Sequence, residues 1–556
     1  MPEEISVVCR GSFFYFFKGK KMGKFIFVTG GVVSGLGKGI TAASLGRLLK
    51  NRGLTVTSQK LDPYMNVDPG TMSPYQHGEV FVTEGGTETD LDLGHYERFI
   101  DEKLTSHSNL TSGRVYWTVL QKERNGEYLG ETVQIIPHVT NEIKSFILKN
   151  MEESKADIGI IEVGGTTGDI ESQPFLEAIR QLALEVGRRN CLFIHVCLVP
   201  YIGGSDEYKS KPTQHSVREL QGLGIHPDII VTRSDREIPE SIRQKISLFC
   251  NVSPDCVIQN TTLNDLYEGP LMLHSQKMDD VVCRELDIKD TVCKLDDWEA
   301  MVDKIYRRQG EIKIALVGKY VQLHDSYISI VESLNHASFV VGKKVTIKWV
   351  DSDTVNEKNA AEIFKDCSGI ILPGGFGMRG TEGMINTCRY ARENEIPYFG
   401  ICLGMQILVI EYARNVLGLK DASSREFDEE GKNCVIDLME NQKNVKKGGT
   451  MRLGSYPCVV KEGTILYDSY GTDRIDERHR HRYEFNNDYR DALSKAGLVI
   501  AGVSPDESLV EAVEVHGRKT FYAGVQFHPE FKSRPNRAHP LFVSFVKSCV
   551  ERSEGL

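Results

Sequence analysis

No apolar stretch in this chain approaches the roughly 20 residues that a membrane-crossing helix needs, so a helical membrane span is excluded. The cluster Phe13-Phe14-Tyr15-Phe16-Phe17 is too short, lacks a small-residue cleavage site and runs into Lys18, Lys20 and Lys21. A basic excess is missing too: 67 Lys and Arg face 77 Asp and Glu, a formal charge of −10. That balance excludes a broad field for nucleic acid, although a local lysine cluster suffices for free nucleotides. The thirteen cysteines contain no CxxC pair and no regular framework. A disulfide scaffold is therefore excluded, and reduced thiols in a cytoplasmic protein are expected. At 556 residues with 40% apolar content, the chain exceeds one core, and two domains are expected.

What is present begins at KFIFVTGGVVSGLGKGIT, Lys24 to Thr41. An apolar run (Phe25 to Val28) enters a loop holding Gly30, Gly31, Gly35, Gly37 and Gly39, with Lys38 before a helical pattern. Strand, glycine loop and helix in that order let backbone N–H groups curl around phosphate oxygens while Lys38 reaches the terminal phosphates. The hydroxyl residue that usually follows the lysine and holds Mg2+ is replaced by Gly39, so the metal must lean on carboxylates elsewhere.

Those carboxylates have candidates. Thr55 to Lys60 reads as a second strand that places Lys60 at its end, where ligands of open α/β sheets bind. Asp90 and Asp92 alternate with Leu91 and Leu93, as if on one extended face. A third strand, Ile158 to Val163, carries Glu162 just before Gly164-Gly165. Further strands at Leu192–Pro200 and Ile229–Thr232 alternate with helical stretches, which predicts a doubly wound parallel sheet. Between them, Lys209-Ser210-Lys211-Pro212-Thr213-Gln214 sets two lysines around a hydroxyl, a candidate triphosphate grip against the plainer reading of a surface loop.

Composition turns polar near Asp287–Asp297, and Arg307-Arg308-Gln309-Gly310 precedes a fresh strand. The expected division is an extension at 1–21, a first domain at 22–287, a linker at 288–311 and a second domain at 312–556. The fold class is α/β, each domain a mostly parallel doubly wound sheet. In the second domain, strands at Lys313–Val317, Val345–Val350 and Gly369–Leu372 lead to PGGFG, and then to Gly400-Ile401-Cys402-Leu403-Gly404. A cysteine between glycines at a strand-to-helix turn is a nucleophile elbow. His528 of QFHPE can take the thiol proton, and Glu530 can orient the imidazole. The N–H groups of Gly375 and Leu403 are the natural oxyanion donors.

The motifs GGVVSGLGKG, KLDPYMNVDPGTMSPYQHGEVFVTEGG, DLDLGHYERF, GDIES, KSKPTQHS, PGGFGMRG, GICLGMQ, RHRHRYE and QFHPEF, in this order, resemble the CTP synthase family over nearly the whole chain. The resemblance implies a phosphate-loop amidoligase joined to a class I glutaminase, converting UTP, ATP and glutamine to CTP, ADP, phosphate and glutamate.

Position by position, the resemblance implies that Ser34, Gly35, Leu36, Gly37, Lys38, Gly39 and Ile40 line nucleotide phosphates, with Lys38 and Lys60 steadying the phosphoryl group. It implies that Asp92 and Glu162 hold Mg2+, and that Lys209 to Gln214 with Lys245 bind UTP. Asp169, Ile170 and Glu171 would touch the base of inhibitory CTP. Gly375, Leu403, Gly404, Met405, Gln406, Glu426 and Arg482 would bind glutamine around the Cys402, His528 and Glu530 triad. The resemblance further implies an ammonia passage near Pro74, His77 and Val80, GTP activation near Gly448 to Arg452, a homotetramer, and filaments as an addition. The chain departs from the family at Thr261-Thr262-Leu263, the adenine-contact segment, where an acidic residue is common.

Two rivals compete. A carboxylate amidoligase with a fused glutaminase would lack KSKPTQHS. A ParA-like switch or purely filamentous protein would need no Cys402, His528 and Glu530 in register.

Overall fold

The computed structural model describes residues 23–204, 206–289, 291–439 and 451–555. The extension at 1–21 and three residues of the expected GTP segment, Gly448, Gly449 and Thr450, lie outside the described residues. The chain divides into two compact units. One comprises the residues up to Met65 together with His107–Lys294, and the other Asn66–Ser106 together with Leu295–Leu556.

In the first unit seven strands form one sheet: β1 (Lys24–Gly31), β2 (Val56–Asp62), β3 (Asn109–Thr111), β4 (Ile158–Val163), β5 (Cys191–Leu198), β6 (Ile229–Ser234) and β7 (Val257–Thr261). Their order is β7-β6-β5-β1-β4-β2-β3, and every pairing is parallel. Helices on both faces bury such strands completely, which is why they read as unbroken apolar runs. Phe25, Ile26, Phe27 and Val28 are accordingly inaccessible. The order reverses beside β1, the place at which open parallel sheets bind ligands at the carboxyl ends of their strands. Lys60 and Glu162 face each other in register at those ends.

The second unit holds a nine-stranded sheet: β8 (Glu311–Gly318), β9 (Lys344–Asp351), β10 (Gly369–Leu372), β11 (Tyr398–Ile401), β12 (Arg452–Val460), β13 (Arg474–His481), β14 (Leu498–Val503), β15 (Val510–Val515) and β16 (Tyr522–Val525). The order is β9-β8-β10-β11-β16-β15-β14-β12-β13. The strands are parallel from β9 to β16, as expected, but antiparallel from β16 to β13. That extension brings Arg478 to His481 of β13 into the same sheet as the strand that leads to Cys402.

Two segments behave differently from their composition. The span that reads as a linker contains the helix Asp296–Arg307, whose Trp298, Met301, Val302 and Ile305 are buried at helical spacing. Its many charges are the solvent face, acidic in the first turn and basic in the last, as the helix dipole favours. Asn66–Ser106, which sequence places within the first domain, packs as part of the second unit. Phe81 lies edge-on against Phe531 with centroids 5.1 Å apart, and Phe99 lies 5.8 Å from Trp298.

Candidate functional site

The glycine-rich loop leaves β1 with Val32 at φ 81°, a conformation unfavourable for a β-branched residue. Gly37, at φ 79°, starts the helix Lys38–Asn51. Gly31 admits no side chain, because a Cβ there would lie 1.6 Å from Ser216 Oγ. Ser216 Oγ in turn bonds His195 Nε2 at 2.8 Å, and His195 Nδ1 meets Thr29 Oγ1 at 2.8 Å. Burial, and after it the Lys38 charge, pushes His195 down to about 3. The imidazole under the loop is thus a neutral strut. Lys38 Nζ donates to Gly165 O at 2.8 Å, and Lys60 Nζ to Glu162 Oε1 at 3.0 Å, with both side chains nearly inaccessible. Lys38, Lys60 and Glu162 therefore gather at one end of the sheet. Ser34 and Gly35 are exposed, and Leu36 is buried.

Lys209, Ser210 and the start of the helix Lys211–Gly222 follow β5. Ser210 is buried and accepts from Gln214 Nε2 at 3.0 Å, while Thr213 Oγ1 donates to Leu198 O at 3.0 Å. The segment is therefore a fixed helix start with Lys211 exposed and Lys209 paired to Glu207. Lys245 is exposed on the helix Glu240–Cys250. Asp169, Ile170 and Glu171 form an exposed turn whose Asp169 Oδ2 accepts from Thr166 N at 3.0 Å. Thr261 ends β7, Thr262 Oγ1 accepts from Arg233 at 3.0 Å, and Leu263 is half-buried.

Asp92 belongs to the second unit, and its local structure differs from the alternating strand expected. Asp92 opens the helix Asp92–Ile100, and its N–H donates to Asp90 Oδ1 at 3.0 Å. Asp90 thus closes a local turn ahead of the helix and is not a neighbour on one extended face.

At the elbow, Cys402 takes φ 53° between β11 and the helix Leu403–Asn415. Leu403 is the first residue of that helix, where amides have no intrahelical acceptor. A Cβ on Gly404 would stand 2.2 Å from Leu372 O, so the turn closes only with glycine there. His528 Nδ1 lies 2.7 Å from Glu530 Oε1. Pro529–Lys532 forms a 3-10 turn, so the pair meets through a turn, where an extended segment was expected. Burial opposes charge on His528, but the Glu530 carboxylate and then Cys402 outweigh it and push the imidazole up to about 10. A cavity of about 60 Å³ joins Cys402, His528 and Gly375 to Pro74 and Val80. His77 is exposed and does not line this cavity.

The glutamine-site candidates gather around the PGGFG loop. Glu426 Oε1 accepts from Gly377 N at 2.7 Å. Burial raises this carboxyl above its usual range, while the Gly377 N–H, Lys319 and Arg482 work against the rise. Gln406 is buried, donating to Tyr483 O at 3.0 Å, and Met405 is inaccessible.

Three side chains were missed in the sequence. Lys319, at the end of β8, is buried with Nζ 3.2 Å from Phe376 O, and burial pushes it down to about 8 against the pull of Glu426. Its place at a strand's carboxyl end was the available signal. Glu79 lines the cavity and accepts from Ser329 N at 3.3 Å. Burial first, then nearby Glu530, raises its carboxyl to about 8 against its Ser329 bonds. Arg478 of β13 donates to Glu84 Oε2 and to Glu97 Oε2, each at 2.8 Å, while its carbonyl accepts the His528 N–H at 2.7 Å. Arg534 also pairs with Glu97. Glu97→Gln, which strips a buried carboxylate from two arginines, is expected to cost about 3–5 kcal/mol, read as a lower urea midpoint of the second unit.

Residues 24–288 match the family model described as CTP synthase N-terminus, and residues 322–548 that of glutamine amidotransferase class-I. The CTP synthase of Clostridium acetobutylicum is 60% identical over 533 residues, covering 96% of this chain and 99% of that protein. That of Staphylococcus carnosus is 58% identical, again covering 96% and 99%. Among solved structures, the glutaminase domain of Trypanosoma brucei CTPS with bound acivicin is 41% identical, covers 43% of this chain and 94% of that chain, and has a TM-score of 0.41.

Proposed function

The chain belongs to the CTP synthase family, and on that premise we propose that it makes CTP from UTP, ATP and glutamine, releasing ADP, phosphate and glutamate. The observation that carries the glutaminase half is the His528–Glu530 contact of 2.7 Å beside a cysteine held at φ 53°.

Cys402 thiolate attacks the glutamine carboxamide carbon, and the oxygen that gains charge faces the N–H groups of Gly375 and Leu403. His528 gives its proton to the departing ammonia, then takes one from the water that cleaves the thioester, while Glu530 holds the ring. Glu426 and Arg482 suit the amino group and carboxylate of glutamine. Leu403 to Gln406 supply the wall.

In the other half, the C4 oxygen of UTP attacks the γ-phosphorus of ATP, and the bond to ADP breaks. Ammonia then adds at C4, and phosphate leaves with the electrons of its C–O bond. Lys38 and Lys60 neutralise charge on the phosphoryl group, and the amides of 34–40 cradle ATP phosphates. Mg2+ takes oxygen donors. The buried Glu162 carboxylate at the strand ends fits that preference, and Asp92 is the second ligand on the family resemblance alone. When bound, the ion supplies charge neutralisation at the phosphates.

Regulation follows the same chemistry. UTP and CTP share the triphosphate grip of Lys209 to Gln214 with Lys245, and Asp169, Ile170 and Glu171 meet the base of CTP, so product competes with substrate. Thr261, Thr262 and Leu263 contact adenine, and GTP activates near Gly448 to Arg452. Pro74 and Val80, in the cavity beside Cys402, mark the way ammonia leaves, and His77 belongs to it on the family resemblance alone. The assembly is a homotetramer in the cytoplasm.

The test is CTP formation from UTP, ATP and Mg2+ with ammonium chloride as nitrogen donor. CTP is the expected product, whereas ADP release only with a carboxylate acceptor would overturn the reading. The pH profile gives a second check. An imidazole raised to about 10 contributes stability fully present below about 6.5 and lost as pH rises through about 10. Glu530→Gln removes the largest raising influence. It is expected to move the alkaline limb of kcat/KM for glutamine toward lower pH and to lower its plateau about 10²-fold.

A further inference from the structure

A cluster far along the first unit's sequence from the motifs above has the composition of a soft-metal site. His274, Asp279 and Cys293 offer one ligand atom each, all within 4.8 Å of one another. Asp279 is wholly buried at the start of the helix Met278–Glu285, with His274 Nδ1 3.0 Å from its Oδ1. Its Oδ2 accepts from Arg52 Nε at 2.7 Å. The segment bearing Cys293 is tied to the end of the helix Lys38–Asn51. Thr291 Oγ1 donates to Arg52 O at 2.7 Å, Arg52 Nη1 donates to Thr291 O at 2.6 Å, and Lys294 N donates to Asn51 O at 3.2 Å.

We propose that His274, Asp279 and Cys293 bind a thiophilic divalent cation of the zinc class. Nitrogen, oxygen and sulfur donors in one small group suit such an ion and not Mg2+, which selects oxygen alone. The protons now between the groups are what the cation displaces. Cys293 loses its thiol proton to solvent on becoming a ligand, and His274 gives up the proton on Nδ1 that faces Asp279, its ligating ring carrying one proton on Nε2. The His274 side chain is 38% exposed, which leaves a side open for water as a fourth ligand. Arg52 remains on the other oxygen of Asp279 and fixes its orientation, as second-layer partners of metal carboxylates do. Burial and then the Asp279 charge push the Cys293 thiol up to about 12, so a bound cation must offset a real deprotonation cost. The bound ion would clasp the 291–294 segment to the far end of the phosphate-loop helix.

The alternative is a buried aspartate satisfied by Arg52 and His274, with Cys293 Sγ donating to Leu48 O at 3.5 Å, and indifferent to metal. The two are separated by titrating Co2+ into full-length Cys402→Ala chain, a background without the elbow thiol, in Mg2+ buffer. One equivalent with a thiolate-to-cobalt charge-transfer band is expected, displaced by Zn2+. Cys293→Ser and His274→Gln, both of which leave the Arg52–Asp279 pair intact, are expected to abolish the band and weaken binding at least about tenfold. No band in the parent, or an unchanged titration in either variant, would overturn the proposal.

Discussion

Cys402→Ala is expected to lower glutamine-dependent CTP formation about 10³-fold or more while ammonia-dependent formation persists. The size follows from the chemistry. No other described side chain in the small cavity beside Gly375 and His528 is a thiol, and an amide yields ammonia slowly without a covalent acyl intermediate. The variant removes one sulfur from an elbow whose backbone is held by Gly404 against Leu372, so the turn itself should survive. Persistence of the ammonia reaction is the informative half. It separates loss of the nitrogen source from loss of the acceptor site, and a variant that failed with both donors would point to misfolding or to a shared site.

Lys38→Met is expected to remove CTP formation with both donors, by about 10²–10³-fold, while glutamine hydrolysis continues. A phosphoryl group in transfer offers the protein little covalent work, so positioned positive charge carries most of the effect. Lys38 stands at the head of its helix with its Nζ 2.8 Å from Gly165 O. Methionine keeps an unbranched stem of nearly the same length and loses the charge together with the hydrogen bond to Gly165 O. Acylation of Cys402 by a reactive glutamine analogue should proceed at the parental rate, and a parallel loss there would argue against a role at the phosphates.

The parts legible in the sequence share a physical reason. Phe25 to Val28 and Ile158 to Val163 are buried on both faces, and a parallel sheet writes that directly as apolar runs. The elbow at Cys402 requires glycine on either side, and a Cβ at Gly400 would meet Gly404 O at 2.5 Å. Glycine spacing there is therefore geometry made visible. What stayed hidden depends on distant partners. β3 is only three residues long and acquires its place by pairing with β2. The packing of Asn66–Ser106 with the second unit rests on Glu97, which meets Arg478 381 positions later, and no local pattern encodes that. Asp90 and Asp92 alternate like strand residues, yet the Asp90 carboxylate closes a turn onto the Asp92 N–H. His528 and Glu530 have the spacing of an extended pair and meet through a turn started by Pro529. Their chemistry was readable because the two residues stand close in sequence under either geometry.

The central claim is that one chain takes nitrogen from glutamine and puts it where phosphate has left uracil. It is tested most directly by one incubation with UTP labelled by oxygen-18 at O4 and glutamine labelled by nitrogen-15 in its amide. CTP carrying nitrogen-15 at its 4-amino group, with one oxygen-18 in inorganic phosphate for each CTP formed, is the predicted result. CTP without the nitrogen label, or phosphate without the oxygen label, would contradict it.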